Sequence, residues 1–161
     1  GYFKESYNLN DFEEFLPGAK FVQDNESKST RGVLRGLHFQ RPPHAQAKLI
    51  RVIEGSIWDV AVDIRPESPT FKQFCFAELS AENHFEFFVP RGFAHAFRVT
   101  SDTAVVQYKT DNYYNPQSDA GIHPHDPDLN IPWPIPKKDQ LLSEKDKELP
   151  FLADINIQKI I

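Results

Sequence analysis

Hydrophobic residues along this chain come in short bursts, mostly β-branched or aromatic, separated by Gly, Pro, Asp and Ser. Phe21–Val22, Val33–Leu34, Leu49–Ile53, Ile57–Ile64, Phe71–Leu79, Phe85–Val89, Ala94–Val99 and Thr103–Tyr108 therefore read as strands. In Ile57–Ile64 the alternation is strict. Ile57, Asp59, Ala61 and Asp63 share one face, while Trp58, Val60, Val62 and Ile64 share the other. Strands recurring about every 8–12 residues predict an all-β sandwich or barrel rather than a parallel α/β sheet. A closed roll of this kind leaves an interior that holds one small ligand. Helical signals are brief. Asn10–Leu16 predicts one short helix, with Asn8 or Asn10 as cap and Pro17–Gly18 as stop. In the tail, Pro132, Pro134 and Pro136 predict an extended stretch, followed by one or two helical turns over Ser143–Leu149. Ser143 with Asp146 three residues on forms a weak capping box.

Composition narrows the function classes. A length of 161 residues predicts one domain, 1–161, with the extended and helical tail at about 132–161. A net charge of −5 argues against a nucleic-acid partner, which draws a strongly basic face. No apolar run approaches the roughly 20 residues that span a bilayer, so no membrane partner is expected. The single Cys75 excludes an internal disulfide and a Cys-rich zinc site, which leads to a reduced, cytoplasmic protein as the expectation. The chain opens at Gly1 and contains no Met, so an upstream segment is expected to be missing. The 14 Phe, 5 Tyr and 2 Trp suit aromatic-lined strands or a base-stacking pocket.

Candidate chemistry concentrates in Arg31-Gly-Val-Leu-Arg35-Gly-Leu-His38-Phe-Gln40. Strand parity places Arg35, Leu37 and Phe39 on one face and Gly36, His38 and Gln40 on the other. Lys48 and Arg51 on the next strand read either as solvent-facing edge lysine and arginine or as cavity partners of Asp59 and Asp63. Those two carboxylates face either water or the same cavity. Metal ligation fits poorly. His38 and His44 are six residues apart across Arg41-Pro42-Pro43, and His123 and His125 lie in a Pro-rich stretch without an opposing carboxylate strand. The expectation from ligand spacing is no metal.

Taken in order, these blocks resemble the dTDP-4-dehydrorhamnose 3,5-epimerase family. The resemblance is carried by Arg35-Gly-Leu-His38-Phe-Gln, Ala47-Lys48-Leu-Ile-Arg51-Val and Trp58-Asp59-Val-Ala-Val-Asp63-Ile-Arg65. It continues through Leu79-Ser-Ala-Glu-Asn83, Val89-Pro-Arg-Gly-Phe-Ala-His95-Ala-Phe97, Tyr108-Lys-Thr-Asp-Asn-Tyr113-Tyr114 and Ser143-Glu-Lys145-Asp146. It implies a cupin-like jelly-roll barrel with short flanking helices, usually a homodimer, working without metal or redox cofactor. The implied substrate is a dTDP-4-keto-6-deoxyhexose, inverted at C3 and C5 on the way to dTDP-L-rhamnose.

The resemblance also implies roles. His38 is the base, Asp146 its orienting partner, Lys48 the cation for the enolate oxygen and Tyr108 the acid on the opposite ring face. Asp59 would hold Lys48 in place. Arg35 would grip the diphosphate and Tyr113 would stack on the thymine. Gln23, Asp24 and Asn25 match a nucleotide-contacting loop, and Glu5, His95, Asp119 and Lys145 match further substrate contacts. The chain departs from the family pattern in lacking the arginine and strand that precede Gly1, in Asp119 where Glu is usual, and in His123-Pro124-His125. Three alternatives stay open: a single-centre epimerase of the same family, a metal-dependent cupin enzyme using His38, His44 or His123 and His125, and a sugar-nucleotide-binding module without catalysis.

Overall fold

The computed structural model describes residues 1–156; the last five residues of the tail expected at 132–161 lie outside them. A short helix α1 (Leu9–Phe15) is capped by the Asn8 side chain, which accepts from the Asn10 amide. Nine strands follow: β1 (Gln23–Thr30), β2 (Leu34–Gln40), β3 (Lys48–Glu54), β4 (Ser56–Asp63), β5 (Phe74–Ser80), β6 (Glu86–Val89), β7 (Phe93–Val99), β8 (Thr103–Thr110) and β9 (Asp119–Gly121). The tail adds a 3₁₀ turn at Lys137–Asp139, a helix α2 (Glu144–Lys147) and a second 3₁₀ turn at Leu152–Asp154. No helix among the described residues is long and apolar enough to cross a membrane.

The strands form two antiparallel sheets, β1-β8-β3-β6 and β5-β4-β7-β2-β9, packed as a cupin-like jelly roll, so the all-β expectation holds. The parity read in β4 explains the layering. Its Ile57 and Ala61 join Ile50, Val52, Leu79, Phe97, Val99, Ala104 and Val106 between the sheets. Trp58, Val60 and Val62 of β4, and Ile64 just past it, face outward, yet they are buried beneath Ile122, Leu129 and Ile131 from the chain after β9 and Leu152 from the tail. The chain after β9 is therefore a strap that covers an apolar sheet face, which water would otherwise solvate at a cost of about 25 cal/mol per Å². Asp126 pins the strap. Buried itself, it accepts from the amides of Asp128 at 2.8 Å, Leu129 at 3.2 Å and Leu152 at 2.6 Å.

Two elements escape the hydrophobic pattern. β1 reads Gln-Asp-Asn-Glu-Ser-Lys-Ser-Thr, with no apolar residue, because it is a sheet edge whose inner face is polar. The residues expected in a loop, Gln23, Asp24 and Asn25, begin this strand, and the predicted strand at Phe21–Val22 ends before it. β9 is three residues long, below what any periodicity resolves.

β2 carries an irregularity that re-aims one side chain. Arg35 stands opposite Phe97 and His38 opposite His95, so β2 spends three steps where β7 spends two. Arg35 and His38 consequently share the inward face, and Arg35 does not stand with Leu37 and Phe39 as strict parity predicts. Gly36 makes this close pass possible: its φ is +111°, and a Cβ there would sit 2.8 Å from the Ala96 Cα.

Removing the strap's anchor tests its weight. Asp126→Ala leaves three amides without their acceptor and is expected to cost about 2–4 kcal/mol. Urea unfolding of the two proteins measures it, and a loss within a few tenths of a kcal/mol would show that the strap is held elsewhere.

Candidate active site

Strand register brings the inward rows together at one end of the sandwich. On the four-stranded sheet, Lys48 pairs with Thr110, Ile50 with Tyr108, Gln23 with Thr110 and Asn25 with Tyr108. Period-two alternation then aims Lys48, Tyr108, Gln23 and Asn25 to the same side. On the five-stranded sheet, His38 faces inward across from Gly121, and Asp119 lies opposite Gln40. The result is a cavity of about 210 Å³ lined by Gln23, Asn25, His38, Gln40, Gln46, Lys48, Tyr108, Tyr114, Asp119 and Lys145.

His38 and Asp146 are 108 positions apart in sequence and meet at 2.6 Å, Nε2 to Oδ1. The carboxylate reaches His38 because α2 begins at the predicted cap: the Asp146 amide donates to Ser143 Oγ at 3.1 Å. Burial alone would raise the Asp146 carboxyl, but the His38 bond and charge outweigh it and hold the acid below its ordinary range. A carboxylate acceptor keeps the proton on Nε2 and leaves Nδ1 with a free lone pair. Lys48 Nζ donates to the His38 carbonyl oxygen at 3.4 Å and lies 6.0 Å from the centre of the Tyr108 ring. Burial lowers Lys48 to about 8, against the pull of Asp59 and Asp119. Burial also raises the Tyr108 phenol, so it stays protonated at neutral pH.

Several expected contacts fall elsewhere. Asp59 does not bond Lys48; it accepts from His95 Nε2 at 2.7 Å, deep between the sheets, and acts on Lys48 only through its charge. His95 opposes Ala61 on the neighbouring strand, so Asp59 and His95 meet diagonally on the inner face. Neither Asp59 nor Asp63 faces water, and Asp63 is taken up by Arg65, Ser68 and Thr70. Burial drives the Asp59 carboxyl up and the His95 imidazole down.

Arg35 donates to Ser29 Oγ at 3.1 Å and lines a second hollow that reaches His38 and Asp146 from the strap side. Asp24 alternates away from the cavity and receives Lys109 Nζ at 2.9 Å. Glu5 is also remote and accepts from Asn8.

Tyr113 points to solvent at 63% exposure, and the next residue, Tyr114, takes the cavity wall, its hydroxyl donating to Asp119. The turn after β8 breaks the period of two, so parity could not choose between the adjacent tyrosines. Gln40, by contrast, shared the parity of His38 and was overlooked. Its amide donates to the carbonyls of His44 and Tyr113 and accepts from the Asn115 amide, which holds that turn against the cavity.

The histidines considered as metal ligands are dispersed. His44 bonds Ser118 and Asn115, while His123 and His125 pack against each other at 5.6 Å with Phe151 beside them. Among the described residues no three His, Cys, Asp or Glu side chains gather to hold an ion.

Comparison with known proteins identifies the family. A family model described as dTDP-4-dehydrorhamnose 3,5-epimerase matches residues 1–154. The dTDP-4-dehydrorhamnose 3,5-epimerase of Shigella flexneri is 52% identical over 163 residues, covering 100% of this chain and 84% of that protein. The crystal structure of the same-named enzyme from Elizabethkingia anophelis superposes with a TM-score of 0.92 at 56% identity, covering 97% of this chain and 86% of that one. A Legionella pneumophila epimerase, solved in complex with dTDP-4-keto-L-rhamnose, gives a TM-score of 0.94 at 45% identity over 99% of this chain and 85% of that one. With a whole-chain match in sequence and in backbone, this chain belongs to the dTDP-4-dehydrorhamnose 3,5-epimerase family.

Proposed function

We propose that this chain inverts C3 and C5 of dTDP-4-dehydro-6-deoxy-D-glucose to give dTDP-4-dehydro-L-rhamnose, with His38 as base and Tyr108 as acid. The observation that carries this reading is the placement of those two groups. His38 stands on the five-stranded sheet and Tyr108 on the four-stranded one, both line a single cavity, and Lys48 is close to each. The Legionella relative bound to dTDP-4-keto-L-rhamnose supports the nucleotide-sugar class of ligand.

The chemistry follows from the C4 ketone. Protons at C3 and C5 are both α to it, so removing either gives an enolate whose charge rests on the C4 oxygen. His38 Nδ1 takes the proton, and Asp146 steadies the resulting imidazolium through Nε2. Lys48 supplies the positive charge that the enolate oxygen needs in a site shielded from water. Tyr108 then protonates the same carbon from the other side, and the centre inverts. Only protons move, so the balance requires no electron acceptor. Around the sugar, Gln23 and Asn25 suit the nucleotide, Arg35 the diphosphate, and Tyr114, on the cavity wall, suits the base-stacking part that the family resemblance implies for Tyr113.

The same reading makes the protein a homodimer. Tyr2 and Phe3 are 78% and 98% exposed, and Glu5 is far from its own cavity, as expected of an N-terminal segment that serves a neighbouring subunit. Sedimentation equilibrium is expected to return the mass of two chains; a monomer at micromolar concentration contradicts it.

Proton NMR of the product formed in heavy water tests the reaction. The native protein is expected to place deuterium at C3 and C5, and washing-in at one carbon alone reduces it to a single-centre epimerase. His38→Asn should abolish exchange at both carbons while dTDP still binds. Tyr108→Phe should keep some exchange but slow completed inversion by roughly 10²-fold or more. Exchange persisting in His38→Asn puts the base on another residue.

Lys48 sets the pH response. It is cationic below about 8 and neutral above, so its contribution is present at neutral pH and lost as pH rises. The value of kcat/KM is expected to fall on an alkaline limb near 8, since that ratio reports the free enzyme. Lys48→Met should lose about 10²–10³-fold in kcat together with that limb. A limb unchanged in the variant belongs to a different group.

A further inference from the structure

Helix α2 carries Asp146, yet it is four residues long and cannot hold its own position. The chain is tied to the body on both sides of it, by Leu141, which exchanges backbone bonds with Gly32 and Leu34, and by Pro150, whose carbonyl accepts from His123. Between these anchors, among the described residues, only two hydrogen bonds join residues 142–149 to the sheets. One is His38 to Asp146; the other is Lys145 Nζ to Asp119 Oδ2, at 2.5 Å.

We propose that the Lys145–Asp119 ion pair is a latch that positions α2, and through it Asp146, on His38, rather than acting only by touching substrate. The inference rests on the proposed roles of His38 and Asp146. Asp119 is well placed to do this. It lies on β9, directly opposite Gln40 and two residues from Gly121, the partner of His38, so it shares the rigid frame that carries the imidazole. The same Oδ2 accepts from the Tyr114 hydroxyl as well, at 3.2 Å, so the carboxylate oxygen that receives Lys145 is held by a second donor.

One end of the pair is sheltered: the Asp119 side chain is only 17% exposed, and its bond raises Lys145 above the usual lysine value. Lys145 and Asp146 are consecutive, so a latch on one limits the travel of the other to about one residue's reach. Misplacing a reacting group by about 1 Å costs on the order of 10²-fold in rate, which gives the second bond a catalytic consequence without any contact to the sugar.

The same helix supplies an internal control. Lys147 pairs with Glu144 at 2.6 Å on the solvent side, a bond that touches neither sheet. Lys145 itself is 59% exposed, so replacing it leaves the core intact.

The experiment compares Lys145→Met, Asp119→Asn, the double variant, Lys145→Arg and Lys147→Met by two readouts. The first is kcat and KM for epimerisation. The second is the low-field proton resonance of the His38–Asp146 bond in the free protein, which needs no turnover. Each single variant is expected to lower kcat about tenfold or more, with KM moving less, and to broaden or remove the resonance. The double variant should be no worse than the poorer single, since both members serve one bond. Lys145→Arg should keep kcat within about threefold, and Lys147→Met should match the native protein. Additive losses, a change confined to KM, or a resonance unchanged in Lys145→Met would overturn the latch. So would equal damage from Lys147→Met. A native protein that shows the resonance but no exchange at C3 or C5 would instead overturn the proposed reaction, leaving the latch to be judged by the resonance alone.

Discussion

The bond between His38 and Asp146 is the contact on which the rest of the molecule converges. It joins a β2 residue to a tail residue 108 positions later, at 2.6 Å, and neither partner can be placed by local structure. β2 presents the imidazole because an extra residue near Gly36 brings His38 and Arg35 to the same face. The tail presents the carboxylate because the strap is fastened to the outer face of the sheet by Ile122, Leu129, Ile131 and Leu152, and at Asp126. A change in either layer reaches the imidazole. Fixing Nε2–H in that bond also decides which nitrogen is free, so the fold selects the tautomer as well as the position.

Burying both faces of the five-stranded sheet has a second effect. With the outer row of β4 covered by the strap, hydrophobic stabilisation does not rely on the inner row alone, and that row can carry Asp59 and Asp63 fully buried. Such charges require partners, and each has them. Asp63 is enclosed by Arg65, Ser68 and Thr70, which hold it far below its ordinary range despite burial. Asp59 is less complete: Oδ1 takes the His95 bond, while Oδ2 is buried without a hydrogen-bond partner among the described residues. The charge of Asp59 offsets part of the desolvation of Lys48, whose own charge acts back on Asp59. Asp59 therefore supports the cation as sequence suggested, but by field rather than by contact.

Much of the architecture was legible because the strands that make the core announce themselves. β4 shows its two faces in its alternation, the Ser143 cap is readable from its oxygen-bearing side chain, and the cap of α1 is narrowed to Asn8 or Asn10, of which the structure uses Asn8. What failed to show follows physical lines as well. β1 exposes one edge and lines a polar cavity, so nothing in Gln23–Thr30 resembles a buried strand. Arg35 was assigned to the wrong face because a bulge costs one residue and strict parity cannot see it. Past the end of β8 neither period applies, so strand parity does not separate Tyr113 from Tyr114; the structure separates them by the Tyr114 hydroxyl bond to Asp119 and by the place of Tyr114 in the cavity wall. The likeness to a family supplied the proposed roles, whereas the pairings of Asp59 with His95 and Lys145 with Asp119 needed three dimensions.

Inversion places a demand on architecture that simple proton exchange does not. A base and an acid on one wall would remove and return the proton on the same side, and the carbon would regain its starting configuration. Two sheets packed face to face, about 10 Å apart, provide two walls, and a ring held between them meets a different sheet on each side. His38 and Tyr108 occupy those two sheets, while Lys48, on the same sheet as Tyr108, reaches the His38 carbonyl and so sits where both of the proposed proton transfers can use it. Because C3 and C5 lie symmetrically about the C4 ketone, one cation serves either enolate, and turning the ring is enough to present the second carbon to the same base. A single set of side chains can then handle two centres, provided the base does not drift between the two events, which makes the rigidity of the tail as much a part of the chemistry as the imidazole.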